Sequence, residues 1–474
     1  MSQTDRRSFL AAAGIGTVAA ALPTTAFAQP GAASSAPHLA QMPAPARDTG
    51  LRIDPREFGA VVDGATKDTV AVQQALDRCA VLGGGEVVLS AGTWLVGAIR
   101  IGSHTTLRVE EGATLQGSPD LADYPVRQVR WEGRWVPGHV GLVWAQEAEA
   151  VALAGTGRII ASDAIPGRVA QSGLRHPALL EFVDVHGLSV TDLYTQQNDM
   201  WSIHPVYCED AVFRGLTVHG GADGIDVDSC RRVVIDACDF DTVDDCISLK
   251  SGRGMEGNTI GRPTEDVTIT DCVFRDQRWA CIGIGSETSA GIRRVLVERC
   301  QCLKAHTFAI YLKTRPGRGA FIRDITIRDL DVSGAGYGFL RLNFLDSGKQ
   351  DQFPVGGADG IPDVGGFTFE RIRVRDVPIL VEAVNIHPDK PVDGFVLRDL
   401  SGSCGHGITL ANMRDVVVEN IDVNVFSGPL LAVNNVIGRG LVDSAAPLVP
   451  TVRPPDVAAA EPPYRLGMTS GRPN

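Results

Sequence analysis

The chain has 474 residues, of which 44% are hydrophobic and 21% are charged, a balance that excludes wholesale disorder. The formal net charge of −12 argues against non-specific binding to nucleic acid or to an anionic membrane, because both need a basic surface. Glycine is frequent, at 53 residues, and only 6% of residues are aromatic, which indicates many turns around a core of small aliphatic side chains.

The N-terminus has the features of an export signal. The pair Arg6-Arg7 precedes a short apolar run over 11–22, and residues 26–28 (Ala-Phe-Ala) form an A-x-A cleavage site. The apolar run is too short to span a bilayer. We expect residues 1–28 to be a twin-arginine signal peptide for the periplasm or the exterior, and residues 29–50 to be a linker rich in Ala, Pro and Ser.

The next two predicted elements are a helix and a strand. The segment 68–79 (DTVAVQQALDRC) has the periodicity of an amphipathic helix, and Asp68 is expected to be its N-cap. A run of three glycines at 83–85 then ends the segment before a strand over 86–89.

A short pattern of alternating apolar and polar residues recurs along most of the remaining chain. It opens at Leu188, Ala211, Val233, Val267, Val295, Ile325, Phe367, Phe395 and Val416. The shortest spacings are 21 to 23 residues, and the longer ones fit the same unit with an inserted loop. Short strands on such a repeat predict an all-β solenoid over 51–440. The helix would then cap its N-terminal end, and residues 441–474 would be a tail.

A second series of strands lies within the same coils, and opens at Ile225, Ile247, Ile282 and Ile310. Its aliphatic residues would point inward, and the residues between them would stack in columns on one outer face. The expected column residues are Asp226, Asp228, Ser248, Lys250, Tyr311 and Lys313, with His204 one coil before Asp226 and Arg341 one coil after Tyr311. Gly283 and Gly285 would leave a gap in this face. A polar face of this kind predicts a groove for polysaccharide, and a merely solvated face is the alternative.

The ten cysteines permit disulfides in an exported protein, but their positions favour another use. Cys238, Cys272 and Cys300 occupy the same inward slot on successive coils, and we expect them to be buried core thiols. Cys246 and Cys281 share another slot, so a bridge between these two remains open. No cysteine or histidine cluster has zinc spacing, and we expect no metal and no other cofactor.

Three aspartates are candidates for catalysis. Asp223 and Asp245 are 22 residues apart, which is one short coil, and Asp244 lies beside Asp245. Closely packed carboxylates cannot all ionise easily, so at least one pKa is expected to rise. Hydrolysis of a glycosidic bond needs a protonated acid beside an ionised partner. Aspartate is also a common turn residue, which is the alternative explanation.

Several ordered motifs resemble those of glycoside hydrolase family 28, the polygalacturonases and their relatives. They are MWSIHPVYC at 200–208, GADGID at 221–226, VDDCISLKSG at 243–252, IGIGSE at 282–287 and YLKTRPGRGA at 311–320. The segments 58–69 and 83–97 resemble the cap and first coil of the pectin-lyase-like β-helix. The resemblance spans about 55–435. It implies a right-handed parallel β-helix and inverting hydrolysis of a pectic, galacturonate-containing polysaccharide or oligosaccharide.

Carried over by position, the resemblance makes Asp244 the general acid, and makes Asp223 and Asp245 the pair that activates water. The expected substrate-binding residues are Asp226, His204, Lys250, Tyr311, Lys313 and Arg341. The expected partner is an acidic glycan of the plant cell wall, bound by a monomer that contacts neither nucleic acid nor membrane.

This sequence departs from the family pattern at three places. The family's Asn-Thr-Asp is Gly221-Ala222-Asp223, its Gly-His-Gly aligns with Trp279-Ala280-Cys281, and its Arg-Ile-Lys is Tyr311-Leu312-Lys313. The family associates that arginine and lysine with the substrate carboxylate. The candidates to replace the arginine are Arg341, Arg315 and Arg318, while Trp279 and Tyr311 could offer stacking surfaces for a sugar.

Three alternative functions therefore stay open. They are hydrolysis of rhamnogalacturonan or another branched pectic glycan, β-elimination by a Ca²⁺-dependent lyase of the same shape, and glycan binding without catalysis. Loops implied at 116–150, 253–264 and 346–366 could block one end of a groove, so the choice between endo and exo action is also open.

Overall fold

The computed structural model describes residues 49–445, 452–460 and 462. The predicted signal peptide, most of the linker and most of the tail lie outside these residues. Among the helices in the described ranges, none combines the length and the apolar character needed to cross a membrane.

The first coils hold seven strands and the longer of the two α-helices found among the described residues. The strands are β1 (Arg52–Ile53), β2 (Asp63–Lys67), β3 (Gly85–Leu89), β4 (Gly92–Val96), β5 (Ile99–Arg100), β6 (Thr105–Val109) and β7 (Ala113–Gly117), and helix α1 (Thr69–Val81) lies between β2 and β3. Short 3-10 turns occur at Pro55–Phe58 and Leu121–Asp123. An antiparallel hairpin follows, with strands β8 (Val126–Trp131) and β9 (Arg134–His139).

The central coils carry eleven strands and end at a short helix, α2 (Gly254–Ile260). The strands are β10 (Val143–Ala154), β11 (Arg158–Ile160), β12 (Leu180–Thr191), β13 (Tyr194–Gln197), β14 (Ile203–Val206), β15 (Glu209–Arg214), β16 (Thr217–Gly220), β17 (Ile225–Asp228), β18 (Arg231–Asp236), β19 (Asp239–Thr242) and β20 (Ile247–Lys250).

The last coils contain ten strands. They are β21 (Thr264–Thr270), β22 (Val273–Gln277), β23 (Ile282–Ile284), β24 (Ile292–Cys302), β25 (Phe308–Lys313), β26 (Phe321–Ser333), β27 (Gly338–Asn343), β28 (Asp363–Asn385), β29 (Val392–Val425) and β30 (Leu431–Arg439). A 3-10 turn at Gly357–Gly360 precedes β28. Residues 452–460 run along the surface, where the carbonyl of Val457 accepts the N–H of Gly357 at 2.9 Å.

Every strand outside the β8–β9 hairpin, within the described residues, pairs in parallel with strands one coil away. Leu188 pairs with Ala211, and Ala211 pairs with Val233, as the sequence repeat requires. The same register continues through Val267, Val295, Ile325, Phe367 and Phe395. These side chains are buried in one continuous core. The predicted parallel β-helix is confirmed.

Helix α1 packs its apolar face onto the first coils. Val72, Ala75, Leu76 and Cys79 are buried in the main core, and the helix contacts β3, β5 and β6. Asp68 stands at the N-cap position as predicted, but its carboxylate does not bond to its own helix. It accepts the N–H groups of Val61 and Val62 at 2.7 and 3.1 Å, because the chain before β2 brings these donors within reach.

The cysteines follow the prediction with one correction. Cys238, Cys272 and Cys300 are buried thiols on successive coils. The bridge considered between Cys246 and Cys281 is wrong, because a disulfide joins Cys281 to Cys302. The Cα atoms of the bridged pair are 6.5 Å apart, within the range that a disulfide spans. Cys246 keeps a buried thiol, to which the Thr242 hydroxyl donates.

The core depends on side chains that stack from coil to coil. Phe240 and Phe274 are fully buried, with ring centroids 5.5 Å apart. The change Phe240→Ala should lower the free energy of unfolding by about 3–5 kcal/mol, because it leaves a cavity that the neighbouring coils cannot close. Denaturant unfolding measures the loss. Phe426, which is 72% exposed, is the matched control, and Phe426→Ala should change stability by less than ~0.5 kcal/mol. Equal losses in the two variants would contradict this view of the core.

Candidate active site

Insertions from distant coils cover the polar face formed by β14, β17, β20, β23 and β25. The β8–β9 hairpin reaches this face through Arg130, whose Nε donates to Asp228 at 2.9 Å. Its Nη1 donates to Glu256 of α2 at 2.9 Å. The segment between β11 and β12 reaches it through Arg175, which pairs with Glu181 at 2.6 Å. The polar face predicted to form a groove for polysaccharide is therefore largely buried, and a cavity remains within it.

The predicted columns are present in the register. Asp226 pairs with Ser248, Ser248 with Gly283, Gly283 with Tyr311, and Tyr311 with Arg341. His204 follows Ile203, which pairs with Ile225, so it stands one coil before Asp226.

The three candidate aspartates line one cavity of about 330 Å³. Asp223 lies two residues before β17, and Asp245 lies two residues before β20. The parallel ladder continues through these turns, because the N–H of Gly224 donates to the carbonyl of Asp245 at 3.0 Å. The sequence spacing of one coil thus brings the carboxylates together, as predicted.

Lys250 holds Asp223 in place. Its Nζ lies 2.9 Å from Oδ2 of Asp223 and 2.9 Å from Oδ1 of Asp226, and 4.7 Å from the centre of the Trp201 ring. Burial is the main cause that raises the pKa of Asp223 to about 7. The carboxylates of Asp244 and Asp245 act in the same direction, and Lys250 opposes them. Burial also raises the pKa of Asp226 well above its usual range.

Lys313 holds Asp245 in a matching way. Its Nζ lies 2.6 Å from Oδ2 of Asp245, and the N–H of Ala280 donates to Oδ1 at 3.1 Å. Burial raises the pKa of Asp245, and Lys313 opposes the rise. The gap predicted at Gly283 has a specific use, because a Cβ at this position would lie 2.1 Å from Oδ2 of Asp245. The predicted rise in pKa is therefore found at Asp223 and Asp245.

Asp244 has a different environment. Its side chain keeps 30% of its surface exposed, and its Oδ2 lies 2.9 Å from Nη2 of Arg168. Arg168 belongs to the segment between β11 and β12, which carries no motif, so it could not be predicted from the sequence pattern. Glu132, Arg253 and Lys349 line the cavity from other insertions and were missed for the same reason. Trp201 also lines the cavity and was not predicted, although it lies in the motif at 200–208.

Of the predicted substrate-binding residues, Lys250 and Lys313 line the cavity. The other four lie outside its lining. Asp226 is buried beneath Lys250, and His204 is buried 3.7 Å from Glu181 with its ring against Trp201. Burial lowers the pKa of His204, which favours the neutral imidazole. Asp226 and His204 therefore contact the cavity wall from the protein interior, through Lys250 and Trp201.

Tyr311 and the three arginines considered as replacements have structural partners. The Tyr311 hydroxyl lies 3.2 Å from Ser347 Oγ, and Arg341 pairs with Glu382 at 3.0 Å. Arg315 donates to the carbonyl of Gly348 at 2.6 Å. Arg318 is buried and donates to the carbonyls of Ser286 and Lys349 at 3.0 and 2.7 Å. The contacts to Ser347, Gly348 and Lys349 hold the loop that follows β27.

Glu132 joins two insertions above the cavity. It stands between β8 and β9, and its carboxylate lies 2.8 Å from Nζ of Lys349 and 3.2 Å from Nη1 of Arg253. Arg253 is held in turn by Asp351 at 3.1 Å. We call Glu132, Arg253 and Lys349 the clasp.

Trp279 lies on the cavity wall with 46% of its surface exposed, so it presents an aromatic surface on which a sugar ring can stack.

In chemical terms, the aspartates of the cavity combine one partly exposed carboxylate, that of Asp244, with two buried ones. Each buried carboxylate is held by a lysine, and this combination suits proton transfer to and from a bound molecule. Within the described residues, no group of three or more His, Cys, Asp or Glu is arranged to hold a metal ion.

Known proteins with similar sequences agree with this chemistry. The sequence model of the family described as "Glycosyl hydrolases family 28" matches residues 153–340, which include all three aspartates. A probable polygalacturonase from Vitis vinifera is 26% identical over 362 residues, which is 73% of each chain. An exo-poly-alpha-D-galacturonosidase from Dickeya chrysanthemi is 23% identical, over 76% of this chain and 70% of the relative.

Solved structures of similar fold include an enzyme that acts on the same class of polymer as these relatives. A hyperthermoactive exopolygalacturonase from Thermotoga maritima superposes with a TM-score of 0.66 at 22% identity, and the match covers 81% of this chain and 94% of that one. The architecture is thus the right-handed parallel β-helix. With aspartates in the matched region that meet in one cavity, the chain is a glycoside hydrolase similar to those of family 28.

Proposed function

We propose that the protein hydrolyses glycosidic bonds of galacturonate-containing pectic glycans by inverting acid–base catalysis. The observation that carries this proposal is the meeting of Asp223, Asp244 and Asp245 in one cavity. The names of the relatives from Vitis vinifera and Dickeya chrysanthemi support the substrate class.

The charges around the cavity support an anionic substrate. The protein as a whole is acidic, with a net charge of −12. The cavity gathers five cations, which offset the five carboxylates of the same lining. The cations are Arg168, Lys250, Arg253, Lys313 and Lys349, and the carboxylates are Glu132, Asp223, Asp244, Asp245 and Glu287. A cleft whose cations balance its carboxylates, in a protein that is acidic as a whole, can admit a carboxylate-bearing sugar.

The environments of the aspartates support a division of roles. Asp244 is the most exposed of the three, so it can approach the glycosidic oxygen of a bound glycan and protonate it. Asp223 and Asp245 are buried and stand beside Lys250 and Lys313, which favour their ionised forms. A water between these two carboxylates would lose its proton to the pair as it attacks the sugar.

The clasp supports action at chain ends. Glu132 bonds to cations from two other insertions, so the cavity is bridged on the side where these insertions meet. A polysaccharide that crossed this side would have to break the ion pairs. The relatives named as exo-acting enzymes support the same mode.

We also propose that residues 1–28 export the folded enzyme through the twin-arginine route to the periplasm or beyond. The arginine pair, the short apolar run and the A-x-A site support this location, where pectic fragments of the plant cell wall would be available.

Substitution of Asp244 tests its role as the proposed acid. The change Asp244→Asn should lower the release of reducing ends from polygalacturonate by about 100- to 10,000-fold, because the leaving oxygen loses its proton donor. Asp241→Asn is the matched control, since Asp241 is a half-exposed carboxylate on β19, paired with His219 at 3.8 Å outside the cavity. Full activity in the Asp244 variant would refute the assignment. Unsaturated products from the wild type would indicate a lyase, and binding without turnover would indicate a glycan-binding protein.

The pH dependence of activity tests the role of Asp223. Asp223 must be ionised to act as a base. Because its pKa is about 7, kcat/KM should fall as the pH drops through about 7, well above the pH range in which aspartate usually titrates. Lys250 lowers this pKa, so Lys250→Met should raise it and move the acid limb to higher pH. The pH dependence of kcat/KM measures the shift. Lys304→Met, which removes an exposed lysine paired with Asp276, should leave the limb in place. An acid limb that stays put or moves to lower pH in Lys250→Met would contradict the role of Asp223.

The lengths of the products test the role of the clasp. The wild type should release mainly the shortest products from the start of the digestion. Glu132→Ala removes the carboxylate that joins Arg253 and Lys349, so longer fragments should appear early. Product lengths over time, read by mass spectrometry, test this. Early release of fragments of many lengths by the wild type would contradict exo action.

A further inference from the structure

One cation of the cavity, Arg168, differs from the others because its acidic partner is Asp244, the proposed acid. Lys250 contacts two carboxylates, Lys313 contacts the buried Asp245, and the two cations of the clasp both contact Glu132. These charges are matched by acidic partners that keep them in place. Arg168 contacts the remaining aspartate, Asp244, and does so through one nitrogen, Nη2.

The main chain at Arg168 is fixed, whereas its side chain is accessible. Asp199 accepts the N–H of Gly167 at 2.8 Å, and the carbonyl of Arg168 accepts the N–H of His176 at 3.0 Å. The side chain of Arg168 keeps 39% of its surface exposed. A guanidinium has five N–H donors in a rigid fork, so most of them stay available to a ligand.

We propose that Arg168 recognises the carboxylate of the uronate unit at the scissile bond, and that it is a specificity-determining residue. This inference rests on the proposed function, in which Asp244 protonates the glycosidic oxygen. Because Arg168 lies 2.9 Å from Asp244, a sugar whose glycosidic oxygen meets Asp244 also lies within reach of the guanidinium. The fork can bind the sugar carboxylate through two parallel hydrogen bonds, which a lysine cannot provide.

The position of Arg168 accounts for the departure at Tyr311. The family's arginine is absent there, and the three arginines considered as replacements, Arg315, Arg318 and Arg341, lie outside the cavity lining. Arg168 supplies a guanidinium to the same cavity from a different insertion. Its contact with Asp244 also links recognition to catalysis, because a substrate carboxylate that engages Arg168 draws the guanidinium away from the proposed acid. A neutral sugar would leave this ion pair intact.

The test compares two substrates that differ only in charge. The kcat/KM of the wild type and of Arg168→Ala is measured on oligogalacturonate and on the same oligomer with its carboxylates methyl-esterified. We expect Arg168→Ala to lose about 100-fold on the acid, in line with the loss of a charged hydrogen-bonded pair, and less than about 3-fold on the ester. Arg168→Lys should fall between the two on the acid, because it keeps the charge without the fork. Equal losses on acid and ester in Arg168→Ala would overturn the inference, since Arg168 would then act only on Asp244.

A control and a binding measurement keep the two proposals separable. Arg373→Ala removes an exposed arginine paired with Asp331 at 2.5 Å outside the cavity, and should change neither rate. Failure of the wild type to cleave either substrate would refute the proposed function. Calorimetric binding of galacturonate then decides the inference by itself: binding that is weaker by about 10-fold or more in Arg168→Ala supports it, in line with the loss of the charged hydrogen bonds of the fork, and unchanged binding overturns it.

Discussion

The parallel register between coils is the constraint on which the rest of this molecule depends. Each residue of a strand pairs with one residue a coil later, so a spacing along the chain becomes a distance of about 4.8 Å between stacked backbones. The register runs unbroken from Leu188 to Phe395. It carries the turn of Asp223 onto the turn of Asp245, and it aligns Gly283 where the carboxylate of Asp245 needs room.

Burial then gives the stacked residues their chemistry. A column of polar residues on an open solenoid would be solvated, and its carboxylates would titrate in the usual range. Here, insertions bring Arg130 and Arg175 onto the face, where they pair with Asp228 and Glu181. Buried ion pairs cost desolvation energy, so their main effect is to hold the insertions in one place. Under this cover the pKa of Asp223 rises to about 7, whereas Asp244 stays accessible beside Arg168.

Much of the fold was predictable because a repeat leaves a strong signal in the sequence. The period of 21 to 23 residues and the alternation of apolar residues identify the strands and which of their faces points inward. Cys238, Cys272 and Cys300 were predicted to share a slot on the same grounds. The disulfide was not predictable in this way, because Cys281 and Cys302 do not occupy equivalent places in the repeat.

The candidate site was also predictable only in part. The sequence by itself determined the meeting of Asp223, Asp244 and Asp245 and the nearness of Lys250 and Lys313, because all five belong to the repeat and local register positions them. Only the tertiary structure decided that Arg168, Glu132 and Lys349 join them, and that His204, Tyr311 and Arg341 lie outside the cavity lining. The physical reason is that insertions follow no period. Their contacts are set by ion pairs between segments up to 217 residues apart, and no local pattern records such pairs.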